Sequence, residues 1–232
     1  QNAIMKRTTL LLLTVAALFC VSCNNRPKYS EELQQTAPAL CKGAEKKLVC
    51  MDLDATLTQH KTPLSDSARQ ALDKLGERYA LLMVGGGGAE RIHKQMLDYP
   101  IDVLGNYGME EARVVDGEWK IVRKEVCPVD TASVLAKCQA LREKYGYTEY
   151  YGKSVEIHAS GMLTFGLLGT EAPKEEKLAF DPDKAKRRAM YKEVCEDFSD
   201  YSVFIGGSTS FDMTPKQYNK YDAIMRFAEE NG

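Results

Sequence analysis

Two acidic residues separated by a single leucine are the part of this sequence best suited to chemistry. Asp52 and Asp54 end an apolar run over residues 47–53, a pattern typical of a buried strand. Because neighbouring carboxylates repel each other, a pair facing one crevice predicts a bound cation, and a site with few carboxylates suits a partly hydrated Mg²⁺. The first acid is then placed to attack phosphorus and the second to shuttle a proton. Taken alone, the pair is also typical of two solvated acids at a turn.

The flanking sequence predicts the elements that would position these acids. Strands predicted over 47–53, 80–84 and 101–104 alternate with helices predicted over 65–79 and 89–97. This alternation indicates a parallel sheet with helices on its faces. Ligands of such sheets bind beyond the carboxyl ends of the strands, which places Asp52 and the four glycines 85–88 at the same edge.

The pattern changes after Asn106 to short strands and longer helices. A hairpin is predicted over 111–120 around Asp116-Gly117, a strong turn pair. Helices are predicted over 130–145, from Asp181-Pro182 to about 198, and over 219–230; strands are predicted over 155–158, 162–167, 201–205 and 210–213. Two strands beside a helix, repeated, predict an α+β layer whose antiparallel sheet is covered on one face.

The segment that contains Asp52 and Asp54 resembles a known motif. Asp52-Leu-Asp-Ala-Thr56 resembles the first motif of the haloacid dehalogenase superfamily, D-x-D-G-T, with Ala55 in place of the glycine. From about residue 46 to the C-terminus the chain is similar to the eukaryotic-type phosphomannomutases, a branch with a cap inserted after the second motif. The matching stretches are Val84-Gly-Gly86 with Glu90, Asn106-Tyr-Gly108, Gly161-Met-Leu163, the segment 205–212, and Asn219-Lys220.

This resemblance implies a fold and a division into domains. The fold class is α/β, with a Rossmann-like core of three α/β/α layers over 46–122 and 214–232 and an inserted α+β cap over 123–213. The implied activity is Mg²⁺-dependent phosphoryl transfer through an aspartyl-phosphate. A small phosphorylated sugar is the implied partner.

The resemblance also assigns roles to three charged residues. Asp52 is the expected nucleophile and a Mg²⁺ ligand, and Asp54 the expected general acid/base, binding the metal through its backbone carbonyl. Lys220 is expected to neutralise the phosphoryl oxygens as a point charge. On its own, Lys220 reads as a surface lysine at the start of a helix.

Further residues are predicted to contact the substrate. Thr56 can donate to the transferring phosphoryl group, and Lys61 stands where the family has a basic residue facing the substrate phosphate. The second motif of the family places Ser or Thr where this chain has Gly87, so backbone N–H groups of Gly86 and Gly87 are expected to take over that role. Equally, the glycine run reads as a turn with no ligand. At the cap edge, Ser210 and Asp212 are predicted sugar-hydroxyl contacts, against the alternative of polar strand ends.

The choice between phosphatase and mutase depends on the cap. Phosphomannomutases hold the distal phosphate with cap arginines, and the corresponding positions here read Tyr151, His158 and Thr170. The loss of that clamp favours a phosphosugar phosphatase. A true phosphomannomutase, which interconverts mannose 6-phosphate and mannose 1-phosphate, remains an alternative. An anchored sugar-phosphate-binding protein with impaired catalysis is another, favoured by Gly87.

Composition and the N-terminus bear on partners and compartment. The 232 residues carry a net charge of −2 with no basic excess, which argues against nucleic acid as a partner. Met5-Lys-Arg7 precedes an apolar run over 10–21, which predicts a secretory leader over 1–23 with Cys23 as a lipidated residue, followed by a linker over 24–45. The expected location is the periplasm or cell surface, with the membrane contacted only through that anchor; the cytoplasm is the alternative.

The cysteines and the chain ends add two expectations. Of seven cysteines, the five outside the leader are widely spaced, which fits neither a disulfide scaffold nor a zinc site. Gln1-Asn-Ala-Ile4 precedes the natural start at Met5, and the acidic fourth motif of the superfamily is expected past Gly232. We therefore expect a fragment whose metal site is incomplete and whose activity alone is weak.

Overall fold

The computed structural model describes residues 28–35, 47–59 and 62–232. The predicted leader, Lys61 and most of the linker lie outside these ranges. Residues 28–35 belong to a first compact unit and contain helix α1, Glu31–Gln35. Everything from residue 47 onward belongs to a second unit. Within the described ranges, no helix combines the length and apolarity needed to cross a membrane.

The first sheet contains the predicted strand–helix alternation. Strands β1 (Leu48–Met51), β2 (Ala80–Val84) and β3 (Asp102–Gly105) are parallel and adjacent in that order. Helices α2 (Asp66–Gly76) and α3 (Ala89–Gln95) form the connections. An antiparallel hairpin of β4 (Glu110–Val115) and β5 (Glu118–Lys124) then extends the sheet beyond β3.

The second sheet is wholly antiparallel and has the strand order β6-β7-β9-β8. Its strands are β6 (Val155–Ile157), β7 (Leu163–Gly166), β8 (Tyr201–Gly206) and β9 (Ser210–Pro215); the helices of this part are α4 (Thr131–Tyr145), α5 (Lys174–Phe180) and α6 (Ala185–Asp197). Alternation along the strands sends Phe165, Phe211 and Met213 into a core shared with α4 and α6. The opposite face is thereby left to residues such as Thr164 and Asp212, which are cross-strand neighbours.

Helix α7 (Lys220–Asn231) returns the chain to the first sheet. Its Ala223 and Phe227 are buried against Leu82, Val84 and Leu104 of β2 and β3. The packing of this helix against the sheet fixes the position of Lys220, its first residue. The predicted division into a core over 46–122 and 214–232 and a cap over 123–213 stays a prediction.

The predicted fold class is confirmed, and the differences are local. Helix α5 was not predicted, and α6 begins at Ala185 rather than beside Pro182, with Lys184 in the left-handed conformation just before it (φ 63°). The Asp181 carboxylate is drawn to the buried Arg187, whose Nε lies 2.7 Å away. It still accepts the backbone N–H groups of Lys186 and Arg187, so Asp181 caps the helix from outside it.

Candidate active site

Asp52 and Lys220 form an ion pair at the carboxyl end of β1. Lys220 Nζ lies 3.1 Å from Asp52 Oδ2, and the two side chains are 34% and 43% exposed, so both remain accessible to a ligand. Asp52 Oδ1 accepts the backbone N–H of Leu53 at 2.9 Å, which orients the carboxylate at the strand end. The lysine therefore presents a positive charge beside an accessible carboxylate at the end of the strand.

The position of Lys220 is set by the way α7 meets the segment after β3. Asn219 caps the helix by accepting the N–H of Asp222 at 2.9 Å. Gly108 has φ +94°, and a Cβ there would lie 2.3 Å from the Cβ of Ala223. Only glycine permits this close approach of the helix to the chain. Arg226 adds a hydrogen bond to the Gly108 carbonyl at 3.2 Å.

The turn after β1 is organised around one carbonyl. Leu53 O accepts the N–H groups of Thr56, Leu57 and Thr58 at 3.0–3.2 Å. Ala55, which occupies the usual glycine position of the motif, has φ 63° in the left-handed region. A side chain in this conformation costs about 1–2 kcal/mol relative to ordinary backbone, which explains the glycine of the family pattern. Thr56 is exposed in this turn.

Asp54 does not point to Lys220 but is held by helix α3. Arg91 Nη2 donates to Asp54 Oδ2 at 3.0 Å, and Gln95 Nε2 donates to Oδ1 at 2.9 Å. Arg91 Nη1 in turn donates to Gln95 Oε1 at 2.6 Å, and Gln95 also reaches Thr58. Asp54 is thus an acceptor on both oxygens, and one of its donors is a guanidinium that the sequence prediction did not include.

The side chains of Tyr107 and Arg91 pack against the backbone of the glycine run. A Cβ on Gly86 would lie 2.9 Å from the ring of Tyr107, and one on Gly87 would lie 2.0 Å from Arg91 Nη2. The N–H of Ala89, where α3 begins, already donates to the buried carboxylate of Glu110 at 2.8 Å. The glycines therefore make room for an aromatic ring and a guanidinium; their predicted role as phosphate-binding amides stays a prediction.

Tyr107 connects this edge of the first sheet to the second sheet. Its hydroxyl donates to Asp212 Oδ2 at 3.0 Å, and its ring stacks on Phe204 with centroids 4.6 Å apart. Lys220 Nζ lies 5.7 Å from the same ring centroid. Burial, and then the neighbouring Asp212 and Asp52 carboxylates, raise the pKa of Tyr107 well above its usual range. The phenol is therefore neutral and acts as a hydrogen-bond donor.

Asp212 belongs to a polar row on the second sheet. Thr164 Oγ1 donates to Asp212 Oδ1 at 3.4 Å and lies 3.0 Å from His158 Nε2. Ser210, two residues before Asp212 on β9, donates its hydroxyl to the Gly206 carbonyl at 3.2 Å. Tyr107 thus contacts Asp212 on one side and lies near Lys220 on the other, whereas Ser210 bonds within its own hairpin.

Comparison with known proteins adds to this geometry. No protein-family model matches the chain. Over 202 residues it is 23% identical to a probable phosphomannomutase from Caenorhabditis elegans, which covers 80% of this chain and 76% of that protein. The structure of a haloacid dehalogenase-like hydrolase from B. subtilis matches with a TM-score of 0.51, 14% identity, and 79% and 78% of the two chains covered.

A further match is the C-terminal domain of a trehalose-6-phosphate phosphatase from C. albicans. It gives a TM-score of 0.50 and 18% identity, and covers 78% of this chain and 61% of that one. The chain has the haloacid dehalogenase fold. Within that fold, Asp52 stands at the carboxyl end of the first strand, the edge at which open α/β sheets bind ligands.

Sequence reasoning about this fold missed Arg91, Gln95 and Tyr107. Arg91 is the third residue of α3, and long side chains on a helix point back toward its N-terminus, which could have suggested that the arginine folds back over Gly87. Tyr107 lies between Asn106 and Gly108, a stretch recognised from the family pattern without a role for its aromatic residue. Its left-handed backbone (φ 56°) gives no sequence signal.

The residues present are compatible with a hydrated Mg²⁺ ion. Oxygen donors are the type this ion prefers, and it retains several waters when few protein ligands are offered. The Asp52 carboxylate is accessible at the strand end and lies two residues from the backbone carbonyl of Asp54. Across the described ranges, no three His, Cys, Asp or Glu side chains come together as a metal cluster.

Proposed function

We propose that this chain is a phosphotransferase that hydrolyses small phosphosugars through an aspartyl-phosphate on Asp52. The observation that carries the proposal is the ion pair between Lys220 and Asp52, 3.1 Å apart at the carboxyl end of β1. An exposed carboxylate beside a fixed ammonium suits a nucleophile that must approach an anionic phosphoryl group. Similarity to a probable phosphomannomutase and to haloacid dehalogenase-like hydrolases supports this assignment.

The reaction takes two steps on this chain. Asp52 attacks phosphorus, an O–P bond forms to the carboxylate, and the bond from phosphorus to the sugar oxygen breaks. The leaving oxygen takes up a proton from a general acid, and Lys220 neutralises charge on the phosphoryl oxygens. A water molecule then attacks the aspartyl-phosphate and gives its proton to the same residue, which releases inorganic phosphate and restores Asp52.

Asp54 is the residue we assign as general acid/base, with one condition set by the structure. Both of its oxygens accept hydrogen bonds, from Arg91 and from Gln95. The condition is that both hydrogen bonds weaken when Asp54 takes up a proton, because a neutral carboxyl group is a poorer acceptor than a carboxylate. Arg91 and Gln95 therefore oppose the protonation that the second role of Asp54 requires.

Mg²⁺ is the proposed cofactor. The residues that would hold it are Asp52, through its carboxylate, and Asp54, through its backbone carbonyl. When bound, the ion supplies positive charge against the phosphoryl oxygens. We expect hydrolysis to require added Mg²⁺ and to be lost on chelation.

Asp212 supports a sugar as the substrate. It lies in a polar row with Thr164 and His158, on the face of the second sheet opposite the apolar core. Hydroxyl groups of a sugar match such a mixed set of donors and acceptors. The names of two similar proteins, a probable phosphomannomutase and a trehalose-6-phosphate phosphatase, point to the same substrate class.

The arginines of the second-sheet region favour hydrolysis over mutase chemistry. Arg142 and Arg187 are each only 1% exposed and donate to backbone carbonyls. Arg188 lies on α6, which packs on the face of the sheet opposite Asp212. Between residues 131 and 215, which the structure describes throughout, no arginine thus remains to clamp a second phosphate. A mutase needs such a clamp to retain its bisphosphate intermediate during turnover.

Hydrolysis of sugar phosphates by the wild-type protein and by Asp52→Asn tests the proposal. The substrates are sugars phosphorylated at C1 or C6, assayed with Mg²⁺, and we expect release of phosphate that falls by roughly 10³-fold or more in the variant. Asp200→Asn, an exposed aspartate just before β8, is the matched control and should retain activity. Equal rates for wild type and Asp52→Asn would contradict the mechanism.

The same assay separates the two alternatives. Conversion of mannose 1-phosphate to mannose 6-phosphate without release of phosphate would identify a phosphomannomutase. Binding of sugar phosphates with no turnover would identify a binding protein, which the glycine at position 87 favours.

We also propose that the chain is exported and anchored through Cys23. The support is the basic start, the apolar run and the cysteine that follows it, all outside the described residues. Expression of the full chain in a bacterium fed a labelled fatty acid should label the protein and place it in the membrane fraction. Cys23→Ser should lose the label. An unlabelled wild-type protein in the cytosolic fraction would contradict the anchor.

A further inference from the structure

Arg91 occupies the space that a serine or threonine side chain at position 87 would need. An ideal Cβ on Gly87 would lie 2.0 Å from Nη2, 2.3 Å from Nε and 2.4 Å from Cζ of Arg91. These distances are far below van der Waals contact, so the guanidinium lies directly over the backbone of Gly87. A serine or threonine at position 87 and Arg91 in this position exclude each other.

Hydrogen bonds hold the guanidinium of Arg91 in place but do not occupy all of its N–H donors. Among residues 47–59 and 62–232, Nη2 donates to Asp54 and Nη1 to Gln95, which accounts for two of the five N–H donors of an arginine. The side chain is 38% exposed, so solvent and ligands can reach it. Three N–H donors thus have no partner among these residues, and an anion at the carboxyl ends of β1 and β2 could accept from them.

The location suits a phosphoryl group. Asp54, which positions Arg91, lies two residues after Asp52 on the same chain segment, and Gly87 lies three residues after the end of β2. A planar guanidinium donates to two phosphoryl oxygens at once, which a hydroxyl group cannot do. The fixed hydrogen bonds to Asp54 and Gln95 reduce the conformational entropy that binding would cost.

We propose that Arg91 is a phosphoryl-binding residue of this site, and that its guanidinium replaces the hydroxyl which Gly87 lacks. The inference rests on the proposed phosphoryl-transfer function of the same crevice. It predicts that Gly87 is needed because a larger residue would displace the guanidinium. It also predicts that a hydroxyl at position 87 becomes useful only when Arg91 is absent.

A double-mutant cycle on the full chain tests this substitution. The variants are Arg91→Ala, Arg91→Lys, Gly87→Ser and Gly87→Ser/Arg91→Ala, and the primary measurement is the Kd for inorganic phosphate by calorimetry with Mg²⁺ present. We expect Arg91→Ala to weaken phosphate binding by at least about tenfold, the effect of one lost charged hydrogen bond. Gly87→Ser should also weaken binding, because the new side chain collides with the guanidinium.

The double variant should bind phosphate more tightly than Arg91→Ala. This gain cannot arise from misfolding, since a damaged protein does not regain affinity through a second substitution. Arg91→Lys should fall between wild type and Arg91→Ala, because it keeps the charge but loses the planar pair of donors. The matched control is Arg188→Ala, an exposed arginine on α6, which should bind as wild type does.

The outcomes distinguish this inference from the proposed function. Unchanged phosphate affinity in Arg91→Ala, or no phosphate binding by the wild type, would overturn the inference even if Asp52-dependent hydrolysis is found. An Arg91-dependent Kd without any hydrolysis would support the inference and contradict the proposed function. Where hydrolysis occurs, kcat/KM should fall by about 10²-fold in Arg91→Ala and recover in part in the double variant.

Discussion

At the scale of single residues, the site separates two carboxylates by giving them different cationic partners. Asp52 faces the ammonium of Lys220, and Asp54 faces the guanidinium of Arg91. Two like charges so near in sequence repel each other, and a separate cation beside each carboxylate offsets that repulsion. The arrangement lets one carboxylate remain an exposed nucleophile while the other stays attached to helix α3.

Replacing Lys220 tests the cationic partner of Asp52. Lys220→Met should lower kcat/KM by about 10²-fold, because it removes a charge directed at the phosphoryl oxygens. Stability should change little, since a half-exposed ion pair contributes at most about 1 kcal/mol. Lys192→Met, an exposed lysine on α6, is the control. Unaltered kcat/KM in Lys220→Met would contradict the role of this residue.

At the scale of elements, two backbone features set the site geometry. The turn after β1 holds Ala55 in the left-handed region, and the junction of α7 with the segment after β3 depends on Gly108. The first feature costs conformational energy, whereas the second avoids a collision. Ala55 lies next to Asp54, and Gly108 contacts the helix that begins with Lys220. Substitutions at these two positions can therefore be assayed for stability and for activity.

The strain at Ala55 predicts a stabilising substitution. Ala55→Gly should raise the free energy of unfolding by about 0.5–1 kcal/mol, because glycine adopts φ 63° without a steric penalty. Urea denaturation measures the change. Ala71→Gly, on the exposed side of helix α2, should instead lower stability by about 0.5–1 kcal/mol. A loss of stability in Ala55→Gly would contradict the assigned strain.

The contact of Gly108 with Ala223 predicts a loss of both stability and activity. Gly108→Ala places a methyl group 2.3 Å from the Ala223 side chain, which should push the start of α7 and Lys220 away from Asp52. Gly117→Ala has a similar positive φ of 79° but no atom within 4 Å, so it isolates the backbone cost. Thermal unfolding should show a larger loss for Gly108→Ala.

Hydrolysis completes this comparison. Only Gly108→Ala should lose activity at a temperature where both variants are folded. Equal activity in the two variants would show that α7 does not control the site.

These elements mark the boundary of what the sequence could predict. The strand–helix alternation of the first sheet, and Asp52 and Lys220 as candidate site residues, follow from local patterns and motifs, whereas helix α5 was missed. The packing of Arg91 over Gly87 could not be predicted, because it depends on the direction of a long side chain and on the absence of a Cβ at position 87. The start of α6 was wrong for a related reason: the buried partner Arg187 decides which backbone N–H groups Asp181 caps.

At the scale of the whole molecule, Tyr107 links the first sheet region to the second. Its hydroxyl bonds to Asp212 of β9 and its ring stacks on Phe204 of β8, while it also lies beside Lys220. A substrate held by Asp212 and attacked by Asp52 would touch both regions. The strength of this link therefore affects how well the two groups are aligned.

Removing the Tyr107 hydroxyl tests this alignment. Tyr107→Phe keeps the stack on Phe204 but loses the hydrogen bond to Asp212, and we expect kcat/KM to fall by about 2- to 10-fold. Tyr107→Leu also loses the stack and should fall further. Steady-state kinetics on one sugar phosphate provides the measurement. Identical kcat/KM values for wild type and both variants would contradict a functional link.

Stability of the whole chain should depend on pH through His93. Burial lowers the pKa of His93, although Asp98 and a backbone contact to Tyr99 act in the opposite direction; its ring stacks on Trp119 at 4.1 Å. The unfolded chain binds a proton near the ordinary histidine pKa of about 6.5, whereas the folded chain resists protonation until a lower pH. The free energy of unfolding should therefore fall as pH is lowered below about 6.5.

The variant His93→Phe isolates this contribution, because phenylalanine can stack on Trp119 but does not titrate. Urea denaturation of both proteins between pH 7 and pH 5 should show a steeper loss of stability for wild type. Parallel pH profiles would contradict a buried neutral His93.

The central claim, that Asp52 carries the phosphoryl group, is tested most directly by trapping the intermediate. Full-length protein is mixed with Mg²⁺ and the best sugar phosphate, quenched in acid within milliseconds, and mapped by peptide mass spectrometry. The account predicts one phosphoryl group on the peptide that contains Asp52, labile to hydroxylamine and absent from Asp52→Asn. Turnover of the substrate with no phosphoryl group on that peptide, or with undiminished rate in Asp52→Asn, would contradict it.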